Sequence, residues 1–244
     1  MIIIYRLIMN LIFIISPFII IYRLFKKKED PVRFKEKFCF FSKKKNKGKL
    51  IWIHGASVGE ILSAIPIVEK FEKNKKIKQI LITSNTLSSS KILSDLKLKK
   101  TIHQFFPIDT RHNCNKFLNY WKPSLAIFVD SEIWPNMLID VKKKSIPLIL
   151  LNARITKKSF EKWLKFPHLA KNLFKSFDLC LSSSRQSKKY LKILGAKNIK
   201  YIGNLKFSQS EKNELNLNSD LRNRFISKTV WCASSTHNGE EKIC

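Results

Sequence analysis

Residues 125–129 read Leu-Ala-Ile-Phe-Val, and residues 148–151 read Leu-Ile-Leu-Leu. Every position in both runs is apolar, and each run has the length of a single strand. A strand without a polar face is buried on both sides, which is typical of a parallel sheet that carries helices on each face. The two runs therefore indicate an α/β fold.

Similar apolar runs alternate with amphipathic stretches on either side of these two. The predicted strands are residues 50–54, 79–83, 102–105, 125–129, 147–151, 179–182 and 201–202. The predicted helices are residues 58–73, 87–96, 115–121, 134–143, 159–164, 169–176 and 186–194. This alternation predicts a Rossmann-like, doubly wound parallel sheet over residues 49–207.

The composition excludes several other classes of protein. Of the 244 residues 44% are hydrophobic, too many for a disordered polyelectrolyte, and six glycines exclude a collagen-like chain. The five cysteines form no Cys-x-x-Cys pair and have no histidine at metal-ligand spacing, so we expect reduced thiols and no metal site. The net charge of +29 fits a nucleic-acid binder, a partner of anionic membranes, or a genome rich in lysine codons.

The N-terminal segment points to a membrane. Residues 7–22 are apolar except at Asn10, Ser16 and Pro17, and three lysines follow at 26–28. No small residues form a cleavage site, so residues 1–25 are expected to remain attached as an anchor helix. The segment is short for a span of about 20 apolar residues, and a tilted spanning helix and an interfacial helix both fit. A buried core helix is disfavoured because the segment is apolar on all sides.

Residues 26–48 form a basic juxtamembrane segment. Between residues 26 and 49, 11 residues are basic and three are acidic. The positive-inside rule then predicts that the rest of the chain lies on the cytoplasmic side of that membrane. Basic residues beside an anionic leaflet contribute about 1 kcal/mol each to attachment. An ordinary solvated charge run would have the same composition.

Two segments follow the sheet domain. Residues 208–228 are rich in Asn, Ser and Glu and are expected to be a linker. Residues 229–244 combine an apolar run, a polar turn and an acidic helix start, which predicts the opening of a second βα unit.

Candidate chemistry lies in the loops that follow the strands, because open α/β sheets bind ligands beyond the carboxyl ends of their strands. The first such loop runs from His54 to Glu60. Ser57 and Glu60 have the spacing of a capping box, which explains them without catalysis. Gly59 would allow a ligand to approach the backbone closely.

Three further loops carry charged residues. Asp130 and Glu132 follow a predicted strand, and because Asp130 or Ser131 could cap the next helix, Glu132 is left without a structural task. Arg154 and Lys206 follow two other strands, where a lone cation is more often solvated than bound to a ligand. If the four loops meet, a carboxylate base faces cations, as a group transfer involving a phosphorylated substrate requires.

Six motifs carry a resemblance to a known family. They are IWIHGASVGE at 51–60, FPIDT at 106–110, SEIWPN at 131–136, PLILLNARIT at 147–156, LGAKNIKYIGNLKF at 194–207 and ASSTHNGEE at 233–241. Over the whole chain, their order and spacing resemble the bacterial Kdo transferases, the 3-deoxy-D-manno-octulosonic acid transferases of lipopolysaccharide biosynthesis. The resemblance implies the N-terminal half of a glycosyltransferase-B type fold, with residues 229–244 opening a truncated nucleotide-sugar domain.

The resemblance also implies an inverting, metal-independent transfer of Kdo from CMP-Kdo to a hydroxyl of the lipid A precursor, with no cofactor. Glu60 matches the general base and Lys206 a cation that stabilises the transition state, while Asp130 stands where the family usually carries Glu. Substrate contacts are expected at His54, Ser57, Gly59, Glu132, Arg154, Thr236 and His237. The helix N-terminus is expected to lower the pKa of Glu60 and keep its carboxylate ionised.

The implied partners are the lipid A precursor glycolipid, CMP-Kdo and the inner-membrane surface. The family continues beyond ASSTHNGEE through a complete donor domain, so the chain alone is expected not to transfer Kdo at a useful rate. A fragment, a frameshift product and half of a split enzyme all fit, and the number of Kdo units transferred and the oligomeric state stay open. The alternative function is a membrane-anchored basic module that binds an anionic glycolipid without catalysis. Nucleic-acid binding is disfavoured because most Phe and Trp lie in predicted core runs and no nucleic-acid motif is found.

Overall fold

The computed structural model describes residues 1–206 and, beyond them, Asn223, Ile226, Lys228, Thr229 and Gly239. The chain divides into two units, Met1–Gln209 and Ser210–Cys244. The predicted linker at 208–228 and the predicted opening of a second domain at 229–244 therefore lie almost wholly outside the described residues. Thr236 and His237 lie there as well.

Within residues 1–206, seven strands form one parallel sheet. They are β1 (Lys49–His54), β2 (Ile77–Ser84), β3 (Thr101–Phe105), β4 (Leu125–Val129), β5 (Leu148–Ala153), β6 (Leu179–Ser182) and β7 (Ile199–Tyr201). Their order is β3-β2-β1-β4-β5-β6-β7, and all neighbouring pairs are parallel. The order changes direction between β1 and β4, and doubly wound folds bind ligands beyond the strand ends at such a point.

Helices cover both faces of the sheet. They are α1 (Ile2–Phe25), α2 (Val58–Lys73), α3 (Leu87–Asp95), α4 (Arg111–Trp121), α5 (Pro135–Lys143), α6 (Lys157–Leu164), α7 (Pro167–Phe174) and α8 (Arg185–Leu194), with a 3₁₀ helix at Arg33–Phe38. Because successive strand residues point to opposite faces, Trp52 and Phe128 pack with α4, α5, α7 and α8, whereas Ile53 and Val129 pack with α2 and α3. Burial on both faces confirms the α/β prediction.

Each of the fourteen predicted strands and helices overlaps an observed one, although β7 (Ile199–Tyr201) shares only Tyr201 with the predicted strand 201–202. Helix α4 begins at Arg111, earlier than predicted, because the Thr110 side chain accepts a hydrogen bond from the Asn113 N–H and caps the helix. Among the described cysteines, Cys39, Cys114 and Cys180 are free and buried, as expected for reduced thiols.

The 3₁₀ helix was not predicted. It lies in the basic segment 26–48, where Glu36 is buried and pairs with Arg33 at 2.9 Å. Glu36 also accepts the Phe105 N–H of β3 at 2.7 Å, and Arg33 donates to the backbone oxygen of His103 at 2.8 Å. This part of the basic segment is therefore folded onto the sheet domain rather than being a solvated charge run.

Helix α1 lies along the sheet domain and presents one stripe to it. Tyr5 donates to Asp109 at 2.7 Å, and the ring of Phe13 packs edge-on against that of Phe38 with centroids 5.6 Å apart. In the last turn of the helix Arg23 forms an ion pair at 2.6 Å with Glu29 of the basic segment. The helix is thus hydrogen-bonded to the sheet domain near its N-terminus and contacts the basic segment 26–48 further along.

The opposite face of α1 is apolar and exposed. Ile3 and Ile14 are each 68% exposed and Phe25 is 83% exposed. By length and composition α1 can cross a membrane, and only 11% of its most apolar 18-residue window is buried. A buried core helix is therefore excluded for this segment.

Candidate active site

Four loops meet at the carboxyl edge of the sheet. They follow β1, β4, β5 and β7 and carry Glu60, Asp130 with Glu132, Arg154 and Lys206. The charges of Lys206, Arg154 and Glu132 all act on the pKa of Asp130, so each of these groups lies within electrostatic reach of Asp130. Glu60 is coupled in the same way to Glu132 and Asp130. The structure thus brings together the charged candidates of the four loops.

Glu60 lies in the first turn of α2 and completes a capping box with Ser57. The Ser57 hydroxyl accepts the Glu60 N–H at 3.4 Å and donates to Glu60 Oε1 at 2.9 Å. The other carboxylate oxygen accepts the Ala56 N–H at 2.7 Å. The predicted cap is therefore present, and the same bonds hold a half-buried carboxylate at the sheet edge.

The pKa of Glu60 is raised above its ordinary value. Burial is the largest cause, and repulsion from the Glu132 carboxylate adds to it, whereas the hydrogen bonds from Ser57 and Ala56 act in the opposite direction. The expectation of a lowered pKa is wrong, because burial and a second carboxylate outweigh the field of the helix terminus. A raised pKa makes the carboxylate a stronger proton acceptor.

Glu132 is held by two side chains. Its Oε2 accepts the indole N–H of Trp134 at 2.7 Å and lies 3.3 Å from Nε2 of His54. Burial alone would raise the pKa of Glu132, but the hydrogen bond and charge of His54, with the bond from Trp134, lower it overall. Glu132 therefore keeps the negative charge that repels the carboxylate of Glu60.

His54 ends β1 and is completely buried. Its ring stacks on Phe106 with centroids 3.9 Å apart, and its Nδ1 lies 3.0 Å from Oγ1 of Thr83. That oxygen accepts the indole N–H of Trp52 at 2.9 Å, and the backbone oxygen of Thr83 lies 3.2 Å from the same Nδ1. Because an ionised carboxylate only accepts hydrogen bonds, His54 Nε2 donates to Glu132. In this structure His54 orients Glu132 and has no exposed surface for a substrate.

Asp109, which sequence reasoning missed, caps α5. Its carboxylate accepts the N–H groups of Asn136 at 3.0 Å and Met137 at 2.8 Å. The expectation that Asp130 or Ser131 caps this helix is therefore wrong. Asp109 lies in the FPIDT motif, which is the one sign in the sequence that it matters. The sequence around α5 gives no indication that a residue this distant caps the helix.

Asp130 directly follows β4 and lies in the left-handed backbone region, with φ of 62°. The residue is 7% exposed, and its Oδ1 has no hydrogen-bond partner among the described residues. Burial raises its pKa, although the charges of Lys206 and Arg154 act to lower it. A non-glycine residue in this region and an unpartnered buried oxygen are typical of a group that contacts a ligand.

The Lys206 loop is positioned by two asparagines. Asn152 Oδ1 accepts the Leu205 N–H at 3.1 Å, and Asn204 Oδ1 accepts the Lys206 N–H at 3.1 Å. A Cβ atom built on Gly59 would lie 3.7 Å from the Lys206 Nζ. The ammonium group therefore stands beside the first turn of α2, where glycine leaves the backbone open.

Carboxylates and cations make up the site. The described residues hold no group of three or more His, Cys, Asp or Glu that could bind a metal ion. A carboxylate with a raised pKa can take a proton, and nearby cations can stabilise a departing phosphate. The arrangement therefore suits group transfer from a phosphorylated donor.

Comparison with protein families gives a match to 3-deoxy-D-manno-octulosonic-acid transferase (kdotransferase) over residues 32–209. The chain belongs to the Kdo transferase family. The match spans all seven strands and every candidate residue among those described. Kdo transferase membership thus confirms the resemblance found in the sequence.

Two relatives match almost the whole chain. The Kdo transferase of Rickettsia bellii is 37% identical over 246 residues, covering 98% of this chain and 58% of the relative. A probable mitochondrial Kdo transferase of Arabidopsis thaliana is 34% identical over 252 residues, covering 98% and 56%. The chain therefore spans a little over half the length of these Kdo transferases.

A solved structure shares the fold. A UDP-N-acetylglucosamine 2-epimerase of Listeria monocytogenes superposes with a TM-score of 0.53 at 15% identity, covering 73% of this chain and 52% of the other. At this identity the likeness shows the fold alone, and it confirms the Rossmann-like α/β sheet.

Proposed function

We propose that this chain supplies the acceptor half of an inverting Kdo transferase, which moves Kdo from CMP-Kdo to a hydroxyl of the lipid A precursor. The observation that carries the proposal is the Glu60 carboxylate, which lies at the carboxyl edge of the sheet with a raised pKa. Lys206 stands beside the same helix turn. Family membership supports the substrate class. The proposed reaction uses no cofactor.

Glu60 is the general base of the proposed reaction. It takes the proton of the acceptor hydroxyl while that oxygen forms a bond to the anomeric carbon of Kdo. The bond from this carbon to the phosphate oxygen of CMP breaks, and CMP leaves with the electron pair. Attack from the side opposite the leaving group inverts the configuration.

The other charged groups stabilise and orient the reactants. Lys206 and Arg154 neutralise the charge that develops on the departing phosphate. The unpartnered Oδ1 of Asp130 accepts a hydrogen bond from a sugar hydroxyl. Glu132 keeps the pKa of Glu60 raised, and Gly59 lets the substrate approach the backbone.

We place the protein at the cytoplasmic surface of a bacterial inner membrane, with α1 in the plane of the interface. Tyr5 and Arg6 of α1 donate to Asp109 and Asn136 of the sheet domain, and this attachment favours a helix that lies along the domain surface over one that crosses the bilayer. Its exposed apolar face can enter the interface instead. The basic residues of segment 26–48 add attraction to anionic lipids.

The test replaces Glu60 by Gln in the chain joined to the C-terminal part of the Rickettsia bellii relative. Loss of the general base is expected to lower the rate of Kdo transfer by about 10²–10⁴-fold while the glycolipid still binds. The control is Glu161→Gln on the exposed side of α6, which should leave the rate unchanged.

Full transfer by Glu60→Gln would show that the proposed role of Glu60 is wrong. Binding of the glycolipid without transfer, in the unsubstituted fusion as well, would support the binding module as the function.

A further inference from the structure

An apolar groove runs along α1. Its first part, a cavity of about 460 Å³, lies between α1 and the helices α6 and α7, and includes Ile8 and Trp163. Its second part, about 360 Å³, lies between α1 and the loop after β3. Met9 and Trp134 line both parts, so the two cavities adjoin. Each volume lies within the range of about 300–1,000 Å³ usual for small-ligand sites. We call the two cavities together the α1 groove.

The α1 groove ends beside the candidate active site. Phe106 lines its second part, with ring centroids 5.5 Å from Trp134 and 3.9 Å from His54. Trp134 also donates to Glu132. A molecule that fills the groove is therefore separated from the Glu132 carboxylate of the site by the Trp134 side chain.

The lining of the α1 groove suits a hydrocarbon chain. Most of its lining is apolar, and the four polar residues that reach it are Tyr5, Asp109, Lys37 and Asn85. Tyr5 donates to Asp109 at 2.7 Å, and Lys37 pairs with Glu29 at 2.6 Å. A peptide in the groove would bury amide groups without partners, whereas a hydrocarbon has none to satisfy. The outer wall is α1, whose free face is apolar, so a chain can enter from a bilayer without crossing water.

We propose that the α1 groove binds one acyl chain of the acceptor glycolipid and thereby places a sugar hydroxyl of that lipid at Glu60. The inference rests on the proposed function, because the acceptor is the one proposed there. The head group lies at the four loops, and its chain passes Phe106 and Trp134 towards Ile8. The affinity for the glycolipid then depends on the length of its acyl chain as well as on the phosphates of its head group.

The first experiment measures binding of diglucosamine bisphosphates with acyl chains of increasing length to the 244-residue chain, below the concentration at which the lipids aggregate. Each methylene that enters the groove is expected to raise the affinity about fourfold. The affinity should stop rising once the groove is full, whereas partition into a micelle would continue to increase. A lipid whose acyl chain carries a terminal bromine should quench the tryptophan emission of the protein, because Trp134 and Trp163 line the groove.

The second experiment uses a matched pair of substitutions on one face of α1. Ile8 lines the groove, and Ile15 lies two helical turns further along the same face, with exposures of 51% and 43%. Ile8→Trp should lower the affinity for the long-chain lipid at least tenfold and leave the deacylated head group unaffected. Ile15→Trp should change neither affinity.

The outcomes separate the two proposals. Binding of the head group without dependence on chain length, or equal effects of Ile8→Trp and Ile15→Trp, would overturn the acyl-chain assignment alone. Equal competition by a lysophospholipid of the same chain length would overturn the assignment to the acceptor. Failure of every diglucosamine bisphosphate to bind would overturn both this inference and the proposed function.

Discussion

At Glu60, the bonds that build a helix cap and the charges that tune a carboxylate act in opposite directions. The Ser57 hydroxyl donates to the carboxylate and favours its ionised form, whereas the charge of Glu132 disfavours it. Ser57 therefore lowers the pKa of Glu60 and Glu132 raises it. The residue can complete the cap and still be a strong proton acceptor because burial adds to the effect of Glu132.

Two substitutions should shift the pKa of Glu60 in opposite directions. Ser57→Ala removes a donor to the ionised form and raises the pKa, whereas Glu132→Gln removes a negative charge and lowers it. Carbon-detected NMR titration of the side-chain carboxyl in the 244-residue chain measures both shifts without any turnover. Glu161→Gln, at an exposed position on α6, is the control and should cause no shift. Shifts of the same sign in both variants would contradict the account.

At the scale of elements, Asp109 joins α1 to α5. Its carboxylate accepts from Tyr5 of α1 and from the N–H groups of Asn136 and Met137 in α5. Asp109→Ala leaves these donors without a partner, and two or three buried unsatisfied donors should lower the free energy of unfolding by about 3–5 kcal/mol. Urea unfolding measures the loss, and Asp95→Ala at an exposed site in α3 is the control. A loss of stability no larger than that of the control would show that the hydrogen bonds of Asp109 to α1 and α5 do not stabilise the fold.

The orientation of α1 in a membrane is a second question at this scale. Ile3, Ile14 and Phe25 share one exposed face, because eleven residues complete about three helical turns. Nitroxide labels on cysteines at these three positions should report the same depth in vesicles if α1 lies in the interface. A spanning helix would place the label at Ile14 deepest, near the bilayer centre. Electron paramagnetic resonance with oxygen and a water-soluble relaxer distinguishes the two results.

The local sequence pattern predicted the strands because burial on both faces of a sheet leaves contiguous apolar runs. It predicted the helices because burial of one side leaves an amphipathic pattern. It missed contacts that join distant segments. Asp109 caps α5 from another loop, and Glu36 accepts the N–H of Phe105 in β3. Neither contact produces a periodic pattern or a motif spacing in the sequence. In the site, strand ends predicted where Glu60 would lie, but its raised pKa depends on burial and on Glu132, which only the fold provides. The catalytic role of Glu60 stays a prediction.

At the scale of the whole molecule, one cluster of lysines lies next to the apolar face of α1. The net charge is +29, and three exposed lysines at 26–28 follow the end of α1 directly. Helix α1 contacts Asn136 of α5, whereas α2, which ends at exposed lysines, packs on the other face of the sheet. A membrane that receives the apolar face of α1 is therefore close to residues 26–28 and far from the end of α2.

Two triple substitutions test this polarity. Replacing Lys26, Lys27 and Lys28 by Gln should weaken binding to vesicles with anionic lipids by up to about 100-fold, since each lysine near the surface contributes about 1 kcal/mol. Replacing residues 73, 75 and 76, three exposed lysines at the end of α2, changes the net charge equally and should weaken binding only a few-fold. Flotation with vesicles at two salt concentrations measures both, and the difference should shrink at high salt because exposed charges are then screened. Equal weakening by the two variants would mean that total charge, and not the position of α1, determines how the protein meets the membrane.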